Sequence, residues 1–220
     1  MKKLLIITLL ACGSWLNAQK NVFESSKFDV LSKDHHILAI IPFFTHLELE
    51  ENITKEESTK LEEKEGYAVQ DALETYFGLG KKKKKFTVDF QNIKNTNAIL
   101  AKEDITYNNI DTYTIKELCE ILEVDAIVSG NLDINILLSK GIPVEFSFMD
   151  YILGDANYGR IGIKISDGKT GKLLWKYEYG INKKSGRNTA DLIDKMMKKL
   201  VRKFPYDKER LKAKKNLKSD

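Results

Sequence analysis

The stretch that most constrains the fold runs from Tyr158 to Tyr179, where apolar and polar residues alternate on both sides of a turn sequence. The apolar residues recur at every second position, first as isoleucines and then as aromatic residues: Ile161, Ile163, Ile165, Trp175, Tyr177 and Tyr179. Between the two runs, DGKTGK supplies glycines and an aspartate that tolerate the backbone of a tight reversal. The pattern predicts a β-hairpin with one face of each strand in a core.

Further elements are predicted on both sides of the hairpin. They are a strand at His36–Phe43 that ends at Pro42, a helix from about Thr54 that ends at Gly78 and Gly80, a strand at Phe86–Phe90, a helix at Asn95–Lys102, a helix capped by Thr114, a strand at Val124–Ile134, and a final helix from Asn188 to Phe204. A helix that enters a strand with almost no loop is typical of α/β units. We therefore predict an α/β (α+β) fold: a single mixed β-sheet of about five strands with helices packed on it, and a C-terminal β-hairpin followed by an amphipathic helix.

The first 18 residues are predicted to be a secretory signal peptide. Lys2 and Lys3 form its basic region, Leu4–Ala11 its apolar region, and Ala18 provides a small residue at the cleavage position. The mature chain would then begin at Gln19 and lie in the periplasm or cell envelope. A second interpretation is open, because Leu9–Cys12 resembles a bacterial lipobox. Lipidation of Cys12 would give an outer-membrane lipoprotein with a lipid tether.

The remaining chain divides by composition into a leader at 19–35, an α/β domain at 36–206 with an insertion at 137–157, and a basic tail at 207–220. The leader is expected to add one short strand around Phe28–Leu31. Charged residues make up 31% of the chain and both signs are interspersed, with a formal net charge of +4. This weak excess does not indicate a nucleic-acid partner.

Two segments are candidates for binding surfaces. The lysine run Lys81–Lys85 would contact an anionic surface or would be a solvated loop beside a helix end. The insertion would be either an exposed apolar patch or a lid packed on the core. In the first case its partner-binding residues would be Phe146, Phe148, Met149, Tyr151 and Ile152.

The chain carries little recognisable chemistry. The histidines His35 and His36 are predicted to face solvent at a strand entrance, and no spacing typical of a metal site or a cofactor site occurs. Cys119 is predicted to be a buried apolar side chain. The aspartates could supply an acid and a base, but their spacing selects no pair: Asp125, Asp133, Asp150, Asp155 and Asp167. These observations favour a protein that is not an enzyme and has no cofactor.

Two phrases carry a resemblance to a known family. VDAIVSGNLDI, which begins at Val124, resembles the family's G-[AV]-D-x-[IV]-[IV]-x-G segment, in which the residue at the Val124 position often follows a glycine. ISDGKTGKLLW resembles the family's D-x-x-T-G-x-x-[LV]-W hairpin. The resemblance covers roughly Ile37 to Tyr206. It is to the α/β periplasmic domain of the curli-secretion lipoprotein family, of penicillin-binding-protein activator lipoproteins and of the Tol translocation protein amino-terminal domain.

The resemblance implies a mixed sheet and a role in recruiting, activating or assembling other envelope proteins, with no catalytic residues to transfer. A curli-type pore is not expected, because the single insertion is too small for two transmembrane hairpins. The expected function is that of an exported, non-enzymatic interaction or accessory protein whose partners are other envelope proteins or copies of itself. Two alternatives remain: a small exported hydrolase, and a module that binds anionic polymers or membrane surfaces.

Overall fold

The computed structural model describes residues 22–49, 53–82, 84–140, 157–182, 184–185, 187–200 and 203–219. The predicted signal peptide, Cys12 and the partner-binding residues of the insertion lie outside this part of the chain. No helix among the described residues is long and apolar enough to cross a membrane.

Within the described residues, seven strands form one mixed sheet in the order β1-β7-β6-β5-β2-β4, with β3 paired to β5. The strands are β1 (Val22–Glu24), β2 (Ile37–Ile40), β3 (Phe44–Leu47), β4 (Asp89–Phe90), β5 (Ala126–Ile134), β6 (Asn157–Asp167) and β7 (Leu173–Asn182). Strands β2, β3, β4 and β5 run parallel where they pair, whereas β5, β6, β7 and β1 are antiparallel. The predicted fold class is confirmed, with seven strands in place of about five.

Six helices accompany the sheet in the described part of the chain. They are α1 (Phe28–Leu31), α2 (Lys55–Lys82), α3 (Ile93–Lys102), α4 (Ile115–Leu122), α5 (Thr189–Leu200) and α6 (Lys208–Ser219). Helices α2 and α5 pack on one face of the sheet around Trp175, Leu73 and Met196. Helices α3 and α4 pack on the other face around Ile127, Leu118 and Leu100. The sheet therefore separates two apolar cores.

The hairpin forms as predicted. Ile165 pairs with Trp175, Ile163 with Tyr177 and Ile161 with Tyr179, and these side chains face the α2–α5 core. The two strands that the prediction missed, β1 and β3, are only three and four residues long. Such short strands carry too few residues for an alternating pattern to stand out.

Several predicted boundaries were wrong. Phe28–Leu31 is a helical turn and not a strand, since the N–H of Leu31 donates to the Lys27 carbonyl and that of Ser32 to the Phe28 carbonyl. The Phe28 ring lies in the core, 5.4 Å from the Tyr206 ring. Helix α2 continues through Gly78 and Gly80 to Lys82. Gly80 does not end the helix. Its lack of a side chain lets the Phe86 ring pack against the helix backbone, since a Cβ at Gly80 would lie 2.2 Å from Cε2 of that ring.

The strand predicted at Phe86–Phe90 is reduced to Asp89–Phe90, and Phe86 instead forms an isolated bridge with Asp207. Asn92 caps α3, which therefore begins at Ile93 and not at Asn95. The segment predicted as a basic tail forms helix α6. The backbone N–H groups of Glu209 and Arg210, in its first turn, donate to the buried Asp207 carboxylate.

Candidate functional site

A histidine, an aspartate and a tyrosine from distant parts of the chain meet in the interior. Nδ1 of His35 lies 2.6 Å from the Tyr206 hydroxyl, and Nε2 lies 2.9 Å from Oδ1 of Asp167. All three residues are buried, with at most 7% of any of them exposed. The prediction that His35 faces solvent was therefore wrong, whereas His36 beside it is exposed. Sequence spacing could not reveal this cluster because its members are joined only by the folded sheet.

Hydrogen bonding fixes the roles of these groups. Burial alone would raise the pKa of Asp167, but hydrogen bonds from Thr170 and His35 outweigh it and leave that pKa below its usual value. The ionised carboxylate can only accept, so Nε2–H of His35 donates to Asp167, and Nδ1 shares a hydrogen bond with the Tyr206 hydroxyl. Burial raises the pKa of Tyr206 far above its usual value. The cluster resembles a catalytic relay, but it is closed to substrate and joins three parts of the fold.

Cys119 lies beside this cluster and is buried, as predicted. Burial, together with the Asp167 and Asp125 carboxylates, raises the pKa of the thiol to about 12. A thiol with this pKa stays protonated at neutral pH and is a poor nucleophile. Asp125 has a structural role too, because Oδ2 accepts the backbone N–H groups of His36 and Ile37 at the start of β2.

The side of β3, β5, β6 and β7 that faces away from the α2–α5 core carries a row of polar and charged side chains beyond the reach of α3 and α4. We call this surface the open face; its charged and polar members are His46, Asp133, Arg160, Lys164, Lys176 and Glu178. Antiparallel sheets often leave one face solvated in this way. On the open face His46, Asp133 and Arg160 are exposed, and Lys164, Lys176 and Glu178 are partly exposed.

Charges of both signs are paired across the open face. Arg160 lies opposite Asp133 in the register of β6 and β5. Lys176 lies 2.6 Å from Glu178, and hydrogen bonding to Lys176, aided by the charges of Arg160 and Lys164, lowers the pKa of Glu178. The surface is therefore a patterned array of charge pairs, and not a field of one sign.

Exposed aromatic rings flank these charges at both sides. Phe23 of β1 lies opposite Lys176 of β7 and is 49% exposed. Phe44 of β3 lies opposite Asn131 of β5 and is 53% exposed. A cavity of about 350 Å³ lies beside Phe44, with walls that include Pro42, Tyr113 and Lys164. This apolar groove and the neighbouring charges provide both of the contact types that protein interfaces use.

A second, more polar cleft of about 760 Å³ occupies the end of the open face. It contains His46, Asp133 and Arg160, and Nε2 of His46 lies 3.3 Å from Oε1 of Glu48. Nδ1 of His46 also lies 3.9 Å from Oε1 of Glu62. The His46 and Glu48 side chains are 58% and 78% exposed. Water therefore competes with the hydrogen bond between them, and this weak contact does not hold the two groups in a fixed catalytic geometry.

No cluster of three or more histidine, cysteine, aspartate or glutamate side chains in the described part of the chain could hold a metal ion. Of the aspartates considered above, Asp150 and Asp155 lie outside that part. Segment 141–156, which follows β5 and precedes β6 in the sequence, also lies outside it. The predicted partner-binding residues Phe146, Phe148, Met149, Tyr151 and Ile152 belong to this segment.

No family model matches the chain, and no curated protein matches its sequence. Solved structures with a similar course of the chain include lipoprotein GNA1162 from Neisseria meningitidis, at a TM-score of 0.46 and 11% identity over 76% of this chain and 95% of that one. They also include the C-terminal domain of LpoB from Salmonella enterica, at 0.33 and 7% over 70% and 93%. A third is the PelC dodecamer from Paraburkholderia phytofirmans, at 0.29 and 9% over 73% and 88%.

GNA1162, named as a lipoprotein, and the C-terminal domain of LpoB agree with the family resemblance that the sequence carries. That resemblance is confirmed at this general level. TM-scores below 0.5 do not extend the likeness to a binding site, a partner or a function.

Proposed function

We propose that this protein is an exported, non-enzymatic accessory protein of the cell envelope that binds another envelope protein through its open face. The observation that carries the proposal is the exposure of Phe23 and Phe44 on either side of a charge-paired sheet surface, next to an apolar groove. Large exposed aromatic rings beside polar residues are common at protein interfaces.

The pattern of charge supports a protein partner over a polyanion. Asp133 and Glu178 lie on the same face as Arg160, Lys164 and Lys176, so a uniformly negative ligand would meet repulsion as well as attraction. A polypeptide can offer charges of both signs in a matching order, which gives specificity more than raw affinity. We propose that the apolar residues of segment 141–156, which lies between β5 and β6 in the sequence, extend this surface.

The test compares two surface variants in capture experiments from the envelope of the native host. Phe44→Asp combined with Lys164→Glu alters the groove and the charge array and makes the net charge more negative by three. Lys102→Glu combined with Lys116→Glu makes it more negative by four, on α3 and α4. The first variant is expected to lose a partner that the second retains, and both should melt within a few degrees of the unaltered protein. Equal capture by both variants would contradict the proposal, and capture of the chain by its own copies would identify self-association.

Segment 141–156 is tested separately. Phe148→Ser with Tyr151→Ser should abolish capture of the partner while leaving the far-UV spectrum and the melting temperature almost unchanged. A large fall in melting temperature would instead assign these side chains to the core.

Export is tested by the intact mass and N-terminal residue of the protein made in its native host. A chain that begins at Gln19 without added mass is expected for a free periplasmic protein. A chain that begins at an acylated Cys12 would identify a lipid-tethered protein, and an unprocessed Met1 would contradict export.

The hydrolase alternative has one supporting contact, between His46 and Glu48 in the polar cleft. If it were correct, His46→Ala would abolish hydrolysis of an envelope substrate without affecting capture of a protein partner. The exposure of both side chains favours the binding function.

A further inference from the structure

The lysine run and the C-terminal helix, which lie far apart in the sequence, are neighbours in the fold. The backbone N–H of Lys208 donates to the Lys85 carbonyl at 3.0 Å, and Phe86 forms an antiparallel bridge with Asp207. The N–H of Thr87 also donates to the Tyr206 carbonyl at 3.0 Å. The end of α2 and the beginning of α6 are therefore held together by backbone hydrogen bonds.

Helix α6 is fixed to the first strand by ion pairs along one side. Arg210 pairs with Glu24, and Lys214 lies 3.3 Å from Glu24 and 2.7 Å from Asp29. Glu24, Arg210 and Lys214 are partly buried, whereas Asp29 of α1 is exposed. The pairs use the basic residues on one side of α6. Lys208 and Lys212 are exposed instead. The helix thus presents further positive charge away from the sheet.

Exposed cations from three segments surround this junction. They form a basic surface that consists of Lys84, Lys203, Lys208 and Lys212, with Glu209 as an exposed acid among them. Lys85 is not part of it, because its Nζ lies 3.7 Å from Oδ2 of the fully buried Asp207 and serves as the counter-ion of that carboxylate. The cations are concentrated here, in contrast to the charge-paired open face.

We infer that the basic surface binds the headgroups of an anionic lipid bilayer. Clustered lysines are attracted to such a surface in proportion to their number. Strand β1 begins at Val22 and is joined to α6 by ion pairs. If the chain that precedes Val22 were attached to a membrane, the basic surface would therefore lie close to that membrane. A nucleic acid fits less well, since Phe86 is buried and the exposed cations carry no interleaved aromatic rings for base stacking.

The test measures binding of the processed, exported protein to two kinds of vesicle, one of phosphatidylglycerol with phosphatidylcholine and one of phosphatidylcholine alone. The ratio of the two affinities is the readout, because an acyl chain on Cys12 would strengthen binding to both. The anionic vesicles are expected to bind more tightly, and the preference should shrink as salt is added. Lys208→Glu with Lys212→Glu should reduce the ratio by more than about tenfold.

The matched control is Lys102→Glu with Lys116→Glu on the opposite side of the sheet, which should change the ratio less than about twofold because screening limits the effect of distant charges. An unaltered protein that binds both vesicles equally would overturn the inference. So would binding to dextran sulfate without binding to anionic vesicles, which would identify an anionic polymer as the ligand. The open-face variant Phe44→Asp with Lys164→Glu separates the two proposals, since it should lose the protein partner and keep most of the vesicle preference.

Discussion

Nδ1 of His35 and the hydroxyl of Tyr206 lie 2.6 Å apart in the interior, although 171 positions separate them in the sequence. His35 lies two residues before the start of β2, and Tyr206 lies between α5 and α6. Through Asp167 the same imidazole also reaches the turn of the hairpin. One buried side chain thus joins the entrance of β2, the β6–β7 turn and the C-terminal segment.

We expect His35→Ala to lower the free energy of unfolding by about 3–5 kcal/mol, because it leaves a cavity and two buried polar groups without their partner. Tyr206→Phe should cost about 1–2 kcal/mol, since only the hydroxyl is lost. Urea denaturation measures both, and the double variant should show that the two effects are not additive. His36→Ala is the control and should cost less than about 0.5 kcal/mol, as expected for an exposed side chain. Equal effects at positions 35 and 36 would exclude a role for the cluster in stability.

The lowered pKa of Asp167 predicts a loss of stability in acid. A carboxyl whose pKa is lower in the folded than in the unfolded state stabilises the fold above its unfolded pKa, near the ordinary value of 3.8. That contribution is lost as the pH falls through the lower, folded pKa. Asp125, whose pKa is also lowered once the backbone N–H groups of Ile37 and His36 overcome the effect of burial, acts in the same direction.

Thr170→Val removes the hydroxyl that bonds to Asp167 and should therefore raise the pH at which acid unfolding begins. Circular dichroism between pH 2 and 7 measures this midpoint. Asp71→Asn, on the exposed side of α2, should leave the midpoint unchanged. An identical acid transition in the Thr170→Val protein would contradict the role of Asp167.

Adjacent lysines in the basic run are predicted to differ in their contribution to stability. Lys85→Met removes the counter-ion of the buried Asp207 carboxylate and should cost about 1–3 kcal/mol, less than a fully buried pair because Lys85 is partly exposed. Lys84→Met, one residue earlier and exposed, should cost less than about 0.5 kcal/mol. Thermal denaturation compares the two, and Asp207→Asn added to Lys85→Met should recover part of the loss. Equal costs at both positions would show that the pair has no structural role.

Two glycines in neighbouring strands are predicted to respond differently to alanine. A Cβ at Gly130 would lie 2.0 Å from the Gly162 carbonyl oxygen and 2.2 Å from the Phe43 ring, so Gly130→Ala should destabilise the protein by about 3 kcal/mol or more. A Cβ at Gly162 meets nothing nearer than 3.9 Å, and Gly162→Ala should be neutral or stabilising by about 0.5 kcal/mol. Guanidinium denaturation of both variants checks the prediction. A stable Gly130→Ala protein would mean that β5 and β6 pack less tightly than described.

The elements with long and regular patterns were predictable from the sequence. The alternation in Tyr158–Tyr179 located the hairpin and its buried face, and the Thr114 capping box located the start of α4, where Thr114 and Glu117 bond to each other's backbone. The mixed sheet followed from the order of these elements. In each case the signal is local, because periodic burial and capping depend on residues a few positions apart.

Only the tertiary structure determined the contacts on which the candidate surfaces depend. His35 gave no sign of burial in a polar leader, and its partners were unremarkable as a turn aspartate and a tyrosine after Pro205. The lysine run and α6 are basic segments whose proximity follows from the backbone hydrogen bond that the Lys208 N–H donates to the Lys85 carbonyl. The open face exists because α3 and α4 cover only part of one side of the sheet, which depends on how far helices reach in space. Sequence periodicity specifies which side of an element is buried, whereas the assembled fold decides which surfaces meet and which remain exposed.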